Sequence, residues 1–473
     1  MATDLPLRQA NGAGNNEPLV DVAIASAPND IAAVPGLLND MSFLKNNLDV
    51  SSSREGRLYL LDKARALVQA LETPRETMLK HVGAETSAFF TITLGIEVGL
   101  FKELARRGGT PKKSADLARA IGFDVDGLRR ILRHLAAMGH IAQPSPDTYA
   151  PTNFSRALTI PIVADGYPFY RSVCIPPMLH LHKWLKTKSY ATPTTGRDNP
   201  FTFGNQTDMS MFEFLAAYPP YNDQFNHHMG GYRLGRPAWY HPSVYPVEDR
   251  LIRGFGGGGG LDDDSYDDAG SQSPPTPSSP HLSAKFPGPD AFPPPHGSEV
   301  LLVDIGGNKG HDLLSFSAAF PSHPGRLVLQ DQPSVLASIP PDTRAALTSA
   351  RAHPHGHDFF TPEPIRHARA YYLHHILHDW PDDKCVDIVT NIRSAMKPGY
   401  TRLLVNEHVI PSIGANWEAT YLDLYMMILF GARERTEDDW KALLEDKCGL
   451  KILQIWNPGN GVEAIIECEV PVA

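Results

Sequence analysis

The sequence predicts an α/β fold in which an open, mostly parallel sheet ends in an antiparallel hairpin and follows a mostly helical N-terminal half. In the stretch 300–310, VLLVDIGGNKG, an apolar run meets several glycines just before a helical pattern. Beyond it, short apolar runs alternate with helical patterns, as is typical of parallel sheets. Two strand-like runs near the C-terminus are separated only by a short turn rich in Asn, Pro and Gly, which indicates the hairpin.

The stretch 300–310 predicts a strand, a tight turn and a helix, with a binding pocket at the turn. Asp304 lies at the end of the strand, and the chain then turns on Gly306, Gly307 and Gly310. Glycine lets backbone amides approach a ligand closely, and the following helix N-terminus attracts negative charge. No frame supplies the dinucleotide pattern G-x-G-x-x-G, whereas acid-x-G-x-x-x-G fits. The stretch indicates a nucleotide-type pocket, although a plain strand-to-helix turn explains it equally well.

Composition argues against several functional classes. The chain has 473 residues, which predicts two or three domains. Its net charge of -10 argues against a nucleic-acid partner and against an anionic membrane surface. The longest apolar-rich stretch, 88–101, is too short to span a bilayer, and the N-terminus has no apolar signal core. The four cysteines are scattered without paired spacing, which suits a reducing compartment, so we expect a cytoplasmic protein.

The N-terminal part is predicted to hold a disordered segment followed by a compact helical unit. Residues 1–50 are rich in Asn, Ala, Gly and Pro and are expected to be largely disordered, with one candidate short helix near 31–44. Residues 51–160 form the next unit. Within it, the helical patterns 114–121 and 124–138 precede an alternating hairpin pattern, and this order predicts a winged-helix arrangement.

A winged-helix unit admits two interpretations. Arg129, Arg130 and Arg133 lie on its second predicted helix, where a DNA-binding protein of this kind would contact the major groove. The same arrangement also serves for packing alone. Three arginines on an acidic chain are a small basic patch, so the packing interpretation is favoured.

Two further segments precede the sheet. Residues 161–253 are aromatic-rich and mostly helical, so we expect a helical connection. Its aromatic stripe predicts a core helix pair or one wall of a pocket for a flat apolar ligand, and the two are compatible. Its aromatic and Met positions include Phe212, Phe214, Tyr218, Tyr221, Phe225 and Met229. Residues 254–297 combine a glycine run, an acidic run and a Pro/Ser run, which predicts a disordered insertion. The acidic run lacks the glycine and glutamate of an EF-hand calcium loop.

Residues 298–473 carry the predicted sheet and several acids at strand ends. Further strands are expected at 326–331, 368–375, 402–408, 450–456 and 462–470, with a short one before Asp358. Asp331 ends its strand and can accept hydrogen bonds from both hydroxyls of a ribose, or it can cap the following helix. Asp358 followed by Phe359 places a carboxylate beside an aromatic ring, a pair that can bind an adenine.

The stretch 373–385, LHHILHDWPDDKC, holds the strongest candidate for catalysis. His378 lies just past the predicted strand 368–375, where the ligand crevice of such a sheet opens. Histidine is the side chain best suited to take a proton near neutrality. Glu407 ends the next strand and Glu434 lies further on, and a carboxylate on the far ring nitrogen would fix the tautomer and stabilise the imidazolium. The alternative is a histidine that only caps the following helix.

A metal site is the rival use of the many histidines. The candidates are His353, His355 and His357, or the pair His374 and His378. Neither set comes with H-E-x-x-H spacing or with a third ligand at a suitable spacing. We therefore predict that the protein uses no metal.

The chain resembles the S-adenosylmethionine-dependent small-molecule O-methyltransferases of the caffeate/flavonoid type, in particular the fungal branch associated with polyketides and other secondary metabolites. The motifs that carry the resemblance are DIGGNKG, LVLQD, HDFF, LHHILHDWPDD, MKPG, NEHVIP and RERTEDDW. The resemblance is loose over 54–250 and strong over 298–473. It departs at Asn308, where the family usually carries a further glycine, and at the insertion 254–297, which has no expected counterpart.

The resemblance implies a fold, a cofactor and a set of site residues. It implies a winged-helix-like N-terminal domain used for homodimerisation and a C-terminal Rossmann-like class I methyltransferase domain that binds S-adenosylmethionine. It also implies that His378 is the catalytic base, bracketed by Glu407 and Glu434. By the same motifs, the cofactor would contact Gly306, Gly307, Asp331, Asp358, Phe359 and His374, the last of which is a lysine in plant relatives.

Together these observations predict an enzyme that methylates a phenolic hydroxyl of a small aromatic molecule, without a nucleic-acid, membrane or metal partner. Two alternatives remain open. The same scaffold can methylate a nitrogen or a carbon atom. The chain can also be a non-catalytic DNA-binding or scaffold protein built on the winged-helix unit, which salt-sensitive DNA binding would favour and the acidic charge disfavours.

Overall fold

The computed structural model describes residues 20–47, 53–232, 234–256, 300–457 and 463–472, which form two compact units. The units are Met1–Tyr167 and Pro168–Ala473. This division falls slightly later than the predicted boundary at 160. The reason is that Tyr167 still packs on the first unit, with its ring 5.7 Å from that of Phe89.

The first unit is mostly helical. Its helices are α1 (Val34–Asn47), α2 (Arg54–Leu71), α3 (Pro74–Leu79), α4 (Thr86–Glu97), α5 (Leu100–Ala105), α6 (Ser114–Ile121), α7 (Val125–Ala137), α8 (Asn153–Ala157) and α9 (Pro161–Ala164), with α10 (Gly166–Phe169) crossing into the second unit. Its strands are β1 (Lys112–Lys113), β2 (Ile141–Ser145) and β3 (Thr148–Pro151), in the sheet order β1-β3-β2. The predicted order of helix, helix and hairpin is confirmed.

Helix α7 shows why the sequence folds this way locally. Leu128, Leu132 and Leu135 recur at helical spacing and are buried. Asp124 is the N-cap, because its Oδ2 accepts a hydrogen bond from the Gly127 backbone amide at 2.7 Å. Arg129 on this helix forms ion pairs with acids of the same unit rather than standing as an isolated positive charge.

The described part of the N-terminal segment contains a short 3-10 turn and one helix. Residues 1–19 and 48–50 lie outside the described residues, but a 3-10 turn at Val22–Ser26 and helix α1 occupy much of the remainder. Leu44 on α1 is buried, and Lys63 of α2 forms an ion pair with Asp40 at 2.6 Å. Helix α1 overlaps the short helix expected near 31–44, and it packs against α2.

The second unit is an α/β domain. Its helices are α11 (Ile175–Thr187), α12 (Pro200–Asn205), α13 (Met211–Ala217), α14 (Tyr221–Tyr232), α15 (His311–Ala319), α16 (Pro333–Ala337), α17 (Pro341–Ser349), α18 (Asp382–Arg393), α19 (Trp417–Phe430) and α20 (Glu437–Lys441). Its strands are β4 (Val300–Ile305), β5 (Arg326–Asp331), β6 (Ala352–Gly356), β7 (Ala370–His374), β8 (Arg402–Glu407), β9 (Val409–Ile410), β10 (Arg435–Thr436), β11 (Lys451–Trp456) and β12 (Ala464–Glu469).

The main sheet has seven strands in the order β11-β12-β8-β7-β4-β5-β6. Its strands are parallel except for β12, which runs antiparallel to both β8 and β11. All six residues of β4 are buried, and apolar clusters cover both faces of the sheet. The predicted parallel sheet with a terminal hairpin is confirmed. The carboxyl ends of its parallel strands therefore meet at one edge, where ligand crevices form in such folds.

The predicted insertion 254–297 lies almost entirely outside the described residues. Its first residues differ from the prediction, because Phe255 packs against the core under the sheet. A Cβ at Gly325 would lie 2.5 Å from the Phe255 ring, so the Phe255 side chain packs closely against the backbone at Gly325. Phe255 therefore belongs to the fold. Within the described ranges, no helix combines the length and the apolar character needed to cross a bilayer.

Candidate active site

The loop after β4 is shaped by positive φ angles. Gly306 and Gly310 have φ of +73° and +80°, and Asn308 between them has φ of +53°. Asparagine adopts this region more readily than most residues, so the missing glycine at 308 does not change the path of the loop. The backbone amides of Gly306 and Gly307 donate to the Gln330 carbonyl of β5 at 2.9 and 3.0 Å. The loop is thus fixed to the end of the neighbouring strand.

Asp331 lies at the end of β5, directly beside this loop. Its Oδ2 accepts a hydrogen bond from the Asn308 backbone amide at 2.8 Å, and its Oδ1 accepts from the Gln332 amide at 2.7 Å. Burial raises the pKa of the carboxyl, while these two hydrogen bonds oppose the rise. The N-cap of α16 is Gln332, so Asp331 does not cap that helix.

The loop after β6 joins the same place. The His357 amide donates to the Asp331 carbonyl at 3.0 Å, which ties the two strand ends together. Asp358 accepts a hydrogen bond from the Phe360 amide at 3.0 Å. The ring of Phe359 lies 5.0 Å from that of Phe360, and both pack near Trp380. The structure therefore brings the predicted Asp358 and Phe359 to the edge of the sheet that carries Asp331.

His374 ends β7 and contacts two acids that the sequence analysis did not single out. Its Nδ1 lies 2.7 Å from Oδ2 of Asp312, in the first turn of α15, and its Nε2 lies 3.9 Å from Glu463. Its ring stacks on that of His375 at 4.7 Å. Glu463 also lies 3.3 Å from His375. Spacing along the chain gave no indication of these contacts, since Asp312 and Glu463 are distant from β7 in sequence.

His378 lies on a 3-10 turn, Leu377–Asp379, just past β7, and its side chain is buried. Its Nδ1 is 2.7 Å from Oε1 of Glu434 and 3.8 Å from Oε2 of Glu407. The structure thus brings together the three residues that were predicted to be catalytic. The two glutamates differ in their contacts, because only Glu434 lies within hydrogen-bond distance of the His378 ring.

Glu407 acts on the backbone of the turn. Its Oε1 accepts hydrogen bonds from the amides of Ile376 at 2.9 Å and Leu377 at 2.7 Å. The side chain is fully buried at the end of β8. Since these two amides directly precede His378, Glu407 fixes the position of the turn from which the imidazole projects.

Glu434 is positioned by contacts that are remote in sequence. It directly precedes β10, which pairs in parallel with β9, and its amide donates to Asp423 on α19 at 2.9 Å. The buried guanidinium of Arg435 donates to the carbonyls of Leu377 at 2.9 Å and Trp380 at 3.1 Å. Arg435, which the sequence analysis did not single out, therefore connects the Glu434 segment to the His378 turn.

The electrostatics of this group favour a charged imidazole. Burial by itself lowers the pKa of His378, but the nearby carboxylates of Glu434, Glu407 and Asp379 outweigh it and raise the pKa well above the ordinary value of 6.5. Burial likewise raises the pKa of Glu434, yet His378 outweighs it and holds that pKa below its usual range. Burial raises the pKa of Asp379, whose Oδ1 lies 3.6 Å from His378 Nε2, to about 7. The site thus stabilises the protonated form of His378.

Several histidines and acids lie close enough together to hold an ion. Their ligand atoms come within 4.8 Å of one another in three sets of residues. These sets are His375, His378 and His408; His374, His375 and Glu463; and His378, Glu407 and Glu434. Among the residues that the structure describes, His353, His355 and His357 form no such set. That the protein uses no metal remains a prediction.

An aromatic region extends from this site along α14. Of the six predicted pocket residues, Phe214, Tyr221 and Phe225 are partly buried against one apolar cluster, whereas Phe212, Tyr218 and Met229 are exposed. The cluster also includes Phe169 and Tyr170, and Tyr232 places its ring 6.4 Å from that of His375. His375 in turn lies 4.8 Å from His378. A series of neighbouring rings thus extends from α14 to the candidate base His378.

Two family models match the chain. An O-methyltransferase domain matches residues 298–449, which contain the sheet edge and His378. An O-methyltransferase dimerisation domain matches residues 86–160 in the first unit. Both matches agree with the division of the chain into a helical unit and an α/β unit.

Curated relatives match over most of their length. The O-methyltransferase mpaG' of Penicillium brevicompactum is 33% identical over 421 residues, which cover 89% of this chain and 94% of that protein. The demethylsterigmatocystin 6-O-methyltransferase of Aspergillus parasiticus is 33% identical over 362 residues, covering 76% of this chain and 80% of that protein.

Solved structures share the fold and, in one case, contain the cofactor. A structure of LepI in complex with SAM matches with a TM-score of 0.74 and 25% identity, covering 92% of this chain and 99% of that one. A structure described as a pericyclic reaction enzyme matches with a TM-score of 0.73, at the same identity and coverage. Taken with the sheet, the glycine loop and the histidine–glutamate pair, these matches show that the chain belongs to the S-adenosylmethionine-dependent O-methyltransferases.

Proposed function

We propose that the protein methylates a phenolic hydroxyl of a small aromatic molecule of the polyketide type, in secondary metabolism, with His378 as the general base. The observation that carries the proposal is the buried contact of 2.7 Å between His378 Nδ1 and Glu434 Oε1. It leaves Nε2, the other ring nitrogen, on the side of Asp379. This arrangement of a base and an orienting carboxylate is what proton removal from a hydroxyl requires.

The residues at the sheet edge fit S-adenosylmethionine. Asp331 is a carboxylate at the end of β5, partly buried, and it can accept hydrogen bonds from ribose hydroxyls. Gly306 and Gly307 let the loop backbone approach a ligand, and Phe359 with Asp358 offers an apolar surface and an acceptor to an adenine. His374 completes the proposed set. When bound there, the cofactor would supply the methyl group, whose bond to the sulfonium sulfur breaks as its bond to the acceptor oxygen forms, and S-adenosylhomocysteine would leave.

The proposed proton step follows from the chemistry of the acceptor. A phenol has a pKa of about 10, so it is mostly protonated at neutral pH and is a poor nucleophile in that form. Neutral His378 would take the phenol proton on Nε2 as the oxygen forms its new bond to carbon. Glu434 would stabilise the resulting imidazolium, and Glu407 would hold the turn so that the ring stays in place.

Other acceptors on the same scaffold remain a second proposal. A phenol must lose its proton to a base near neutral pH, and a nitrogen or carbon acceptor differs from it in this requirement. The histidine–glutamate pair favours an acidic hydroxyl, because a pair with raised basicity matches a group with a pKa of about 10. A product linked through nitrogen or carbon would contradict the phenol proposal.

We further propose that the protein is a cytoplasmic homodimer without a nucleic-acid or membrane partner. The matched dimerisation domain supports the homodimer. Four free, buried cysteines support a reducing compartment. The ion pairs that Arg129 forms with Asp126 and Asp147 reduce its availability to DNA phosphates.

The experiment that tests the function combines cofactor binding with product detection. A thermal shift with S-adenosylmethionine is followed by mass spectrometry of a panel of phenols, and a product heavier by one methyl group on oxygen is expected. His378→Gln should leave cofactor affinity nearly unchanged and lower turnover by about 10²–10⁴-fold. His182→Gln, on the exposed surface of α11, is the matched control and should be silent. Wild-type turnover in His378→Gln would refute the base assignment.

A further inference from the structure

Helix α14 carries three polar side chains on one face. Gln224, His228 and Tyr232 follow one another at four-residue spacing, which places them in one row along a helix. The atoms Gln224 Oε1 and His228 Nε2 are buried, and both are without a hydrogen-bond partner in the described part of the chain, whereas the buried Tyr232 hydroxyl interacts with that of Tyr421. Buried polar atoms without a partner are rare, and two of them in one row with a buried hydroxyl point to a ligand that supplies the partners.

The surroundings of this row have the character of a binding pocket. The His228 ring lies 6.3 Å from Phe169 in a stacked arrangement, 5.1 Å from Tyr170 edge-on, and 6.5 Å from Tyr232. Phe225, on the same helix as His228, has its ring 5.6 Å from that of Phe169. Flat aromatic rings around a few convergent polar atoms are typical of sites for small aromatic ligands.

The row also lies next to the reacting groups. Its C-terminal member, Tyr232, has its ring 6.4 Å from that of His375, which neighbours His378. At the middle of the same helix, Asn226 Oδ1 accepts a hydrogen bond from the side-chain amide of Asn308 in the glycine loop, at 3.3 Å. A molecule held along this row would therefore have one end near the candidate base and the cofactor loop.

The charges around the row favour uncharged polar groups on a bound ligand. Burial lowers the pKa of His228 to about 4, so at neutral pH its imidazole offers one donor and one acceptor but no positive charge. A neighbouring cation, Arg236, stacks on Tyr232 at 4.8 Å, but it is already paired with Glu418 at 2.8 Å and Glu463 at 2.7 Å. These groups complement a hydroxyl or carbonyl oxygen rather than a carboxylate.

We propose that Gln224, His228 and Tyr232 form a specificity site for the acceptor, which is a flat aromatic molecule carrying further uncharged hydroxyl or carbonyl oxygens besides the one that is methylated. Residues four apart on a helix are about 6 Å apart along its axis, so the row favours oxygens spread over more than one ring. The inference rests on the proposed methylation of a phenol and names the chemistry of its substrate.

Binding tests the inference independently of turnover. We would measure the affinity of three acceptors by fluorescence quenching in the presence of S-adenosylhomocysteine. Chrysophanol carries two hydroxyls and two carbonyls, 2-hydroxyanthracene carries one hydroxyl, and rhein replaces the methyl group of chrysophanol by a carboxylate. The wild-type protein should bind chrysophanol at least about 10-fold more tightly than either of the others, because a site with buried polar groups rejects molecules that leave them unpaired.

Variants assign this preference to the row. His228→Phe keeps an aromatic ring but removes the polar atoms, so it should bring the ratio of chrysophanol to 2-hydroxyanthracene affinity close to one. His228→Gln should restore most of the preference. His227→Phe, an exposed neighbour on the same helix, is the matched control and should keep the full preference. Gln224→Leu, which removes another member of the row, should reduce the preference even if His228→Phe proves unstable in thermal melting.

Equal affinity of the wild-type protein for the three acceptors, or no measurable binding of chrysophanol, would overturn the inference. An equal loss for all acceptors in His228→Phe, with its melting temperature unchanged, would also overturn it. A failure of the proposed function is a different result: chrysophanol would bind with the expected preference, but no methylated product would form with S-adenosylmethionine.

Discussion

At the scale of single residues, the two glutamates near His378 have different tasks. Glu434 contacts the ring nitrogen directly, whereas Glu407 accepts hydrogen bonds from the backbone of the turn. Burial lowers the pKa of His378, and among the charges that oppose burial Glu434 acts most strongly. The basicity of the site therefore depends mainly on one carboxylate.

Replacing Glu434 should change the pH dependence of the enzyme. Neutral His378 is the active form of a base, so the wild-type rate should rise with pH through a pKa above 6.5. In Glu434→Gln the imidazolium loses its closest anion, and this rise should move to lower pH by about one pH unit or more. Rate profiles of kcat/KM between pH 5 and pH 10 measure the shift. Glu437→Gln, exposed on α20, is the control, and an unmoved profile in Glu434→Gln would contradict the assignment.

Asp331 is the residue on which cofactor affinity should depend most directly. Its carboxylate lies at the end of β5 and also holds the Asn308 amide of the glycine loop. Asp331→Ala should weaken S-adenosylmethionine binding by about 1.5–3 kcal/mol, the scale of a hydrogen bond to a charged group. Calorimetric titration measures this change. Asp342→Ala, exposed in the first turn of α17, should leave the affinity unchanged, and an unchanged affinity in Asp331→Ala would remove it from the site.

At the scale of elements, the short parallel pair β9 and β10 brings Glu434 to His378. It brings the Glu434 segment beside β8, and Arg435 then reaches across to the turn after β7. The Arg435 side chain is fully buried and forms an ion pair with Asp382 at the start of α18, at 2.9 Å. Two segments that are far apart in sequence, β10 and the turn that leads into α18, therefore meet at one guanidinium.

Removing this guanidinium should destabilise the domain. Arg435→Met leaves two backbone carbonyls and part of the Asp382 carboxylate without their donor, and the free energy of unfolding should fall by about 3–5 kcal/mol. Arg433→Met is a matched control, because Arg433 contacts the same Asp382 at 3.2 Å from the half-exposed surface and should cost less than about 1 kcal/mol. Urea unfolding compares the two variants, and equal losses would show that burial of Arg435 does not matter.

At the scale of the whole molecule, the first unit presents apolar side chains to solvent. Met78, Leu79 and Val82, on α3 and the turn after it, are exposed, and Val82 is 70% exposed. This segment directly precedes residues 86–160, which match the dimerisation domain. An exposed apolar patch of this kind in a single chain is typical of a protein interface.

The protein should therefore be a dimer in solution, with twice the chain mass of 51.9 kDa by light scattering. Val82→Asp should shift the equilibrium towards the monomer, because burying an unpaired charge in an interface is costly. Ile413→Asp, at a more exposed apolar position of the second unit, is the control and should remain dimeric. A wild-type monomer at micromolar concentration would contradict the prediction, and a dimeric Val82→Asp would place the interface elsewhere.

Several features of this protein are determined by residues that are neighbours in sequence. The apolar run into Gly306 fixed β4 and its loop, and alternating patterns located β5, β7, β8 and the terminal hairpin within a few residues. His378 could be placed just past β7 for the same reason. Helix α1 was expected only as a short helix near 31–44, because its sequence is weakly periodic, and in the structure it packs on α2.

Only the tertiary structure decided which groups meet. Motifs grouped Glu407 and Glu434 as equivalent, but the pairing of β9 with β10 gives the contact with the imidazole to Glu434 alone. The role of Arg435 follows from no local pattern, since its partners come from a distant segment. The four-residue spacing of the polar row on α14 is local, but the burial of its polar atoms is not. Periodicity and turn chemistry act between close neighbours along the chain, whereas hydrogen bonds, burial and pKa values depend on atoms that only folding brings together.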